Sequence, residues 1–148
     1  FKNIPGGQKC TDCKSGKYSP HNANGTLQCS NCTVGTYADE RGSIVCKECV
    51  AGKYSRKTNS MVESDCQVCE AGKIANSSGA RNCQLCESGK YNLYDDDDAT
   101  KHDDAADCSF CPPGEKSNAE RTKCTSCIAG QYVDDTTGDC KNCSTGKC

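Results

Sequence analysis

The chain has 148 residues, a formal net charge of −2 and no tryptophan, and Leu, Ile, Val and Phe together number 15. Burial of so few apolar side chains cannot offset ~1–2 kcal/mol of backbone entropy per residue, which excludes a conventional core. Near-neutral, interspersed charge gives no field for nucleic acid or an anionic membrane, and no apolar run is long enough to span a bilayer.

The chain opens on Phe1 without a visible signal segment, and it reads as a processed or partial piece of a longer array. In chain order the dominant signal is a C-x-x-C pair, ending on Cys13, Cys32, Cys49, Cys69, Cys86, Cys111, Cys127 and Cys143. Three positions after each lies a glycine: Gly16, Gly35, Gly52, Gly72, Gly89, Gly114, Gly130 and Gly146. Five positions after stand Tyr18, Tyr37, Tyr54, Tyr91 and Tyr132, with Ile74, Lys116 and Cys148 as the departures. A fixed period of this kind defines a tandem array. Its units are 13–29, 32–46, 49–66, 69–83, 86–108, 111–124 and 127–140, numbered 1 to 7, followed by a partial unit 143–148.

Each unit reads as a small, loop-rich hairpin. The recurring glycine marks a backbone position that needs positive φ or close approach of another segment. The "GKYS" stretch that follows is a short strand, and its tyrosine is the large side chain available to cover the next disulfide. Gly25, Gly42 and Gly79, each four residues before a closing cysteine, mark the hairpin turns. Unit 1 carries His21 and the sequon at Asn24, and Asn76 begins a sequon in unit 4; both asparagines fall in hairpin tips where a glycan projects freely. Asn31 and Asn142 begin sequons inside C-x-x-C pairs, where disulfide closure competes with glycan transfer and makes them poorer acceptors. Unit 5 is the longest and holds Asp95, Asp96, Asp97, Asp98, Asp103 and Asp104 around His102. Those carboxylates are a candidate Ca²⁺ set, because hard cations take six to eight oxygens. They lack the spaced pattern of an EF-hand loop, and a solvated acidic insertion is the simpler expectation for this segment and its histidine. Val68, Leu85 and Phe110 precede the second cysteine of three adjacent pairs, where packing between successive units is expected over a contact stripe.

The 17 cysteines admit three chemistries. Paired C-x-x-C knuckles could build four-cysteine zinc sites. The odd cysteine count, the absence of a basic surface and the sequons count against them. Thioredoxin-like redox chemistry needs one C-x-x-C in a βαβ unit, and nothing here reads as βαβ. Disulfide stapling in an oxidising compartment fits the density, which exceeds the ~8–10% that marks a disulfide scaffold. Catalysis has little support: the two histidines stand in polar stretches, and no nucleophile elbow, zincin motif or phosphate-binding loop is present.

The phrase C-x-x-C-x-x-G-x-Y-S, as in Cys10 to Ser19, resembles the ephrin-receptor-like cysteine-rich repeats of extracellular proteins. It is also similar to the first half-module of tumour-necrosis-factor-receptor domains, whose nested cysteine pair is absent here. The resemblance spans Cys10 to Cys148. It implies the pairs Cys13–Cys29, Cys32–Cys46, Cys49–Cys66, Cys69–Cys83, Cys86–Cys108, Cys111–Cys124 and Cys127–Cys140. Cys10 is then left to a unit upstream of Phe1, while Cys143 and Cys148 can close a short terminal bridge or link chains covalently end to end. The expected fold is a small disulfide-rich repeat, an elongated stack of hairpin-like modules with little regular secondary structure. The expected function is that of an extracellular or cell-surface structural glycoprotein, a rod, filament or surface coat that assembles with itself or with another extracellular protein. It needs no cofactor beyond its N-linked glycans. The alternative is the ligand-binding ectodomain of a receptor.

Overall fold

The computed structural model describes residues 12–20 and 28–144. Cys10, His21, Asn24, Gly25, Gly146 and Cys148 lie outside the described residues. Among the described residues seven two-stranded antiparallel hairpins follow one another, and an isolated parallel bridge from Tyr37 to Ser60 links the second to the third. Lys17–Tyr18 pairs with Ser30–Asn31, Thr36–Tyr37 with Lys47–Glu48, and Lys53–Tyr54 with Gln67–Val68. Lys73–Ile74 pairs with Gln84–Leu85, Lys90–Tyr91 with Ser109–Phe110, Glu115–Ser117 with Cys124–Ser126, and Gln131–Val133 with Cys140–Asn142. Three short 3-10 turns, Glu63–Asp65, Ala99–Lys101 and Ala105–Asp107, complete the regular structure. The expected disulfide-rich, elongated stack of hairpins is what forms.

The C-x-x-C seam explains why the hairpins are so short. Its two middle residues supply the returning strand of one unit, and its second cysteine starts the next. That cysteine donates its N–H to the carbonyl of the preceding repeat glycine, from Cys32 to Gly16 at 2.9 Å through Cys143 to Gly130 at 2.9 Å. Each glycine itself completes a tight turn, with the next residue's N–H returning to the carbonyl three residues back, as in Lys17 to Lys14 at 3.1 Å. The glycine sits third in that turn with φ between +77° and +85°. A type II turn demands this conformation at its third position, and L side chains resist it.

Seven disulfides join Cys13 to Cys29, Cys32 to Cys46, Cys49 to Cys66, Cys69 to Cys83, Cys86 to Cys108, Cys111 to Cys124, and Cys127 to Cys140, with Cα–Cα separations of 5.6–5.8 Å. Cys143 is disulfide-bonded as well. The buried apolar material is largely the bridges themselves, among them Cys13, Cys32, Cys49, Cys69 and Cys86. Tyr37 of unit 2 packs on Cys49 and Cys66 of unit 3, and Ile74 of unit 4 packs on Cys86 and Cys108 of unit 5. The side chain five positions after the seam therefore covers the next unit's staple. Val68 is half-buried, but Leu85 and Phe110 stay exposed. Packing between successive units does not hide them, because the pleat points the residue before each second cysteine outward, opposite the lysines at 73 and 90.

Candidate functional site

The chemistry of this chain lies in its seams, where a backbone ladder joins neighbouring units. The repeat glycine of one unit donates to the residue six positions after the seam of the next: Gly16 to Ala38, Gly35 to Ser55, Gly52 to Ala75 and Gly72 to Asn92, all at 2.7–2.8 Å. That receiving residue donates in turn to the hairpin turn of the following unit. Ser19 reaches Ser43, Ala38 reaches Ser60, Ser55 reaches Ala80, Ala75 reaches His102 and Asn92 reaches Arg121, at 2.8–3.1 Å. A third bond returns from the turn to the preceding unit's opening cysteine in units 2 to 4, from Gly42 to Cys13, Asn59 to Cys32 and Gly79 to Cys49, each at 2.8 Å. Each such bond contributes about 1 kcal/mol net. Residues six positions after the seam are small or polar and buried, as at Ser19, Ala38, Ser55, Ala75, Asn92 and Ser117.

Contacts also skip a unit. A Cβ placed on Gly16 would lie 2.5 Å from the carbonyl oxygen of Asn59, two units ahead. The same substitution would overlap the Gly79 carbonyl at Gly35, the Ala99 carbonyl at Gly52 and the Glu120 carbonyl at Gly72. Gly89 faces Gly138 of unit 7 at 3.4 Å. Gly16, Gly35, Gly52, Gly72 and Gly89 are thus flat seats for the turn of the second unit on. Turn residues sit in the left-handed region, where glycine is replaced by Asn59 at φ 60° and joined by Arg121 at φ 58°.

The acidic insertion folds over a buried histidine, while its aspartates at 95 to 98 and 104 stay exposed to solvent. His102 is 0% exposed and donates from Nδ1 to the Lys73 carbonyl at 2.9 Å, and its own carbonyl takes the turn position that Ser43, Ser60, Ala80 and Arg121 hold elsewhere. Buried Asn92 clamps the same loop through Nδ2 to the Lys101 carbonyl at 2.7 Å. The carboxylates serve the loop's own turns. Asp96 pairs with Lys101 at 2.7 Å, and Asp98 accepts from the Thr100 N–H at 3.1 Å and hydroxyl at 2.6 Å. Asp104 accepts from Ala106, and Asp107 accepts from Asp104. Lys101 holds the Asp96 carboxyl below its ordinary range, and the Thr100 hydroxyl does the same for Asp98. Among the described residues no group of three or more His, Cys, Asp or Glu side chains is arranged to hold a metal ion.

Residues 21–66 match the family described as tyrosine-protein kinase ephrin type A/B receptor-like. That span covers the end of unit 1 and all of units 2 and 3, and the resemblance read from the seam phrase stands on it. The family is an extracellular, disulfide-rich, receptor-like module and not a catalytic domain. The seat-and-ladder geometry of units 2 and 3 recurs beyond the match, at Gly72 and Gly89. No curated protein matches the chain. Together with seven disulfides, the ephrin-receptor-like module points to an extracellular location. No helix among the described residues is long and apolar enough to cross a membrane.

The ladder stops between units 6 and 7. Their hairpins have three-residue strands, and Ser117 and Val133 pair inside their own units with Cys124 and Cys140. No backbone donor of either unit reaches the other beyond the seam bond of Cys127 to Gly114. An open groove of about 1050 Å³ results, lined by Phe110, Pro112, Pro113 and Tyr132 among others. Exposed Asn31, Asn76 and Asn142 stand on the surface, and the Ser78 hydroxyl of the Asn76 sequon donates to the Glu48 carboxylate on the returning strand of unit 2.

At the tip of unit 7, Asp134 accepts from Lys141 Nζ at 2.6 Å and from the Thr137 N–H at 2.8 Å, which holds its carboxyl down at about 2. The folded hairpin therefore prefers the ionised form. Its contribution is complete above the unfolded carboxylate value of about 4 and is lost as pH falls through about 2. A carbon-detected NMR titration is expected to place the Asp134 midpoint well below those of exposed aspartates; an ordinary midpoint would mean that the Lys141 contact does not persist in solution.

Proposed function

We propose that this chain is a segment of an extracellular structural glycoprotein, a disulfide-stapled rod that spaces or assembles surfaces. The observation that carries the reading is the ladder that binds each of units 1 to 5 to its successor through backbone groups, with a second contact reaching two units on. Stiffness then comes from covalent closure and main-chain bonding, and length comes from the number of units. Glycans on Asn24 and Asn76 shield the polar surface. Receptor ectodomain is the second reading, favoured by the ephrin-receptor-like match and by the groove beside Phe110 and Tyr132, which offers apolar surface to a protein ligand. Small-angle scattering on the monomer tests the rod: its radius of gyration should lie clearly above the ~15 Å of a compact chain of this length. A value near that figure overturns it. Native material should also lose mass on enzymatic removal of N-glycans, and unchanged mass removes the glycan shield.

A further inference from the structure

One tyrosine stands outside the repeat. Tyr18, Tyr37, Tyr54, Tyr91 and Tyr132 each occupy a paired strand, whereas Tyr94 lies beyond the strand Lys90–Tyr91, in the loop of unit 5. It is 42% exposed, and every residue from Leu93 to Asp98 is exposed and belongs to no strand or helix. Lys101 Nζ lies 4.7 Å from its ring centroid, and among the described residues its hydroxyl makes no hydrogen bond. Two described units flank unit 5 on each side, the full reach of the ladder and seat contacts, so this exposure belongs to the array itself.

Four carboxylates follow the phenol directly, Asp95, Asp96, Asp97 and Asp98, against the single cation Lys101. An exposed loop can enter the cleft of a modifying enzyme, where a strand held in a hairpin cannot. An uninterrupted acidic flank steers it to a cleft lined with basic groups, and such a cleft suits a transferase that must also hold a polyanionic donor. Tyr132 supplies the contrast. It is 46% exposed and has Asp134 and Asp135 nearby, but the strand Gln131–Val133 pairs it with Lys141, whose ammonium is bound to Asp134. Disulfides form along an oxidising secretory route. There the anionic group transferred to exposed phenols is sulfate, carried on a nucleotide.

We propose that Tyr94 is a sulfate acceptor, modified on the way to the cell exterior with a nucleotide-activated sulfate as donor. The phenol oxygen attacks the sulfur of the sulfate–phosphate anhydride. An aryl O–S bond forms, and the S–O bond to the nucleotide's phosphate breaks, its electron pair leaving with the nucleotide. The phenol proton passes to a base of the transferase, and nothing is oxidised or reduced. The proposal rests on the extracellular reading above and holds for rod and receptor alike. To test it, the disulfide-intact 148-residue chain is incubated with a secretory-pathway tyrosine sulfotransferase and radiolabelled nucleotide sulfate. Label should enter the tryptic peptide 91–101 and nearly vanish in Tyr94→Phe, while Tyr132→Phe leaves it unchanged. Asp95→Asn combined with Asp97→Asn should slow the transfer about tenfold. Disulfide mapping verifies that each variant folds. Absence of label, label that survives Tyr94→Phe, or a rate indifferent to the two asparagines overturns the site. In native material the same peptide should carry the mass of one sulfo group, lost in mild acid; a group of that mass removed by phosphatase instead also overturns it. A glycosylated native chain with unmodified Tyr94 overturns this proposal alone. Sulfate without glycans leaves it standing and removes the glycan shield, and a chain with neither removes both.

Discussion

Replacing Gly35 with alanine is expected to destabilise the array by about 4 kcal/mol or more, while the same change at Gly130 costs only about 1–2 kcal/mol. Both glycines have strongly positive φ, so both lose the conformational freedom that glycine supplies. Only Gly35 also has a neighbour in the way. A Cβ there would overlap the main-chain carbonyl of Gly79, and main chain held on both sides by the ladder cannot rotate aside as a flexible side chain would. The turn of unit 4 must lift off, which releases the Gly35 to Ser55 and Gly79 to Cys49 bonds along with it. Urea denaturation with disulfides intact, followed through hydrogen exchange at the amides of Gly35 and Gly79, separates the two substitutions. Equal losses at the two sites would sink the seat description, because backbone strain would then account for everything.

The second large effect concerns the staples. Removing the Cys49–Cys66 bridge as a double alanine variant should cost about 3 kcal/mol from freeing its loop, in the chain-entropy account. A further loss follows from exposing the underside of Tyr37, which lies on those two sulfurs. Cys49 is 1% exposed, and its unit is laddered on both sides, so protection from exchange should fall in units 2, 3 and 4 together. Removing Cys127–Cys140 should be milder and local. Those cysteines are only half-buried, and unit 7 lacks the ladder to unit 6. Limited proteolysis reads the difference directly: cleavage across three units for the first variant, and within unit 7 alone for the second. Cleavage confined to unit 3 in the first variant would show that the units are independent beads.

Much of this architecture was legible in the residues. Eight glycines in register required a backbone explanation, and the structure supplies positive φ at the seven described ones and close approach as well at Gly16, Gly35, Gly52, Gly72 and Gly89. The tyrosine's partner could be read from the shortage of other large side chains, and Tyr37 meets the next disulfide. The serine that ends the phrase "GKYS" carried a signal that sequence reasoning missed. Ser19, Ala38, Ser55, Ala75, Asn92 and Ser117 share its place, and Ala38, Ser55, Ala75 and Asn92 are small or compact because their main chain bonds to units on either side. Most contacts that skip a unit were not legible, since they run between a bare glycine and a carbonyl. The burial of His102 was not legible because its neighbours are aspartates. Its burial follows from position in the ladder rather than from local hydrophobicity, and Asn92 and Lys101 hold the loop that delivers it. The groove beside unit 7 arises from one extra residue pair in each of two hairpins, a change too small to see in a pattern of cysteines and glycines.

The way unit 5 accommodates its extra residues has a consequence for how such a chain can vary. The bond-accepting turn residue lies three positions before the closing cysteine in units 2, 4 and 6, at Ser43, Ala80 and Arg121. It lies six positions before in units 3 and 5, at Ser60 and His102, and a 3-10 turn takes up the difference. On the other side of His102, the run from Leu93 to Asp98 bulges outward without breaking the bonds to unit 4. Fixed anchor points with elastic spans between them amount to a graft port. New sequence can enter at the span and change what the surface presents, while the load-carrying frame keeps its pitch.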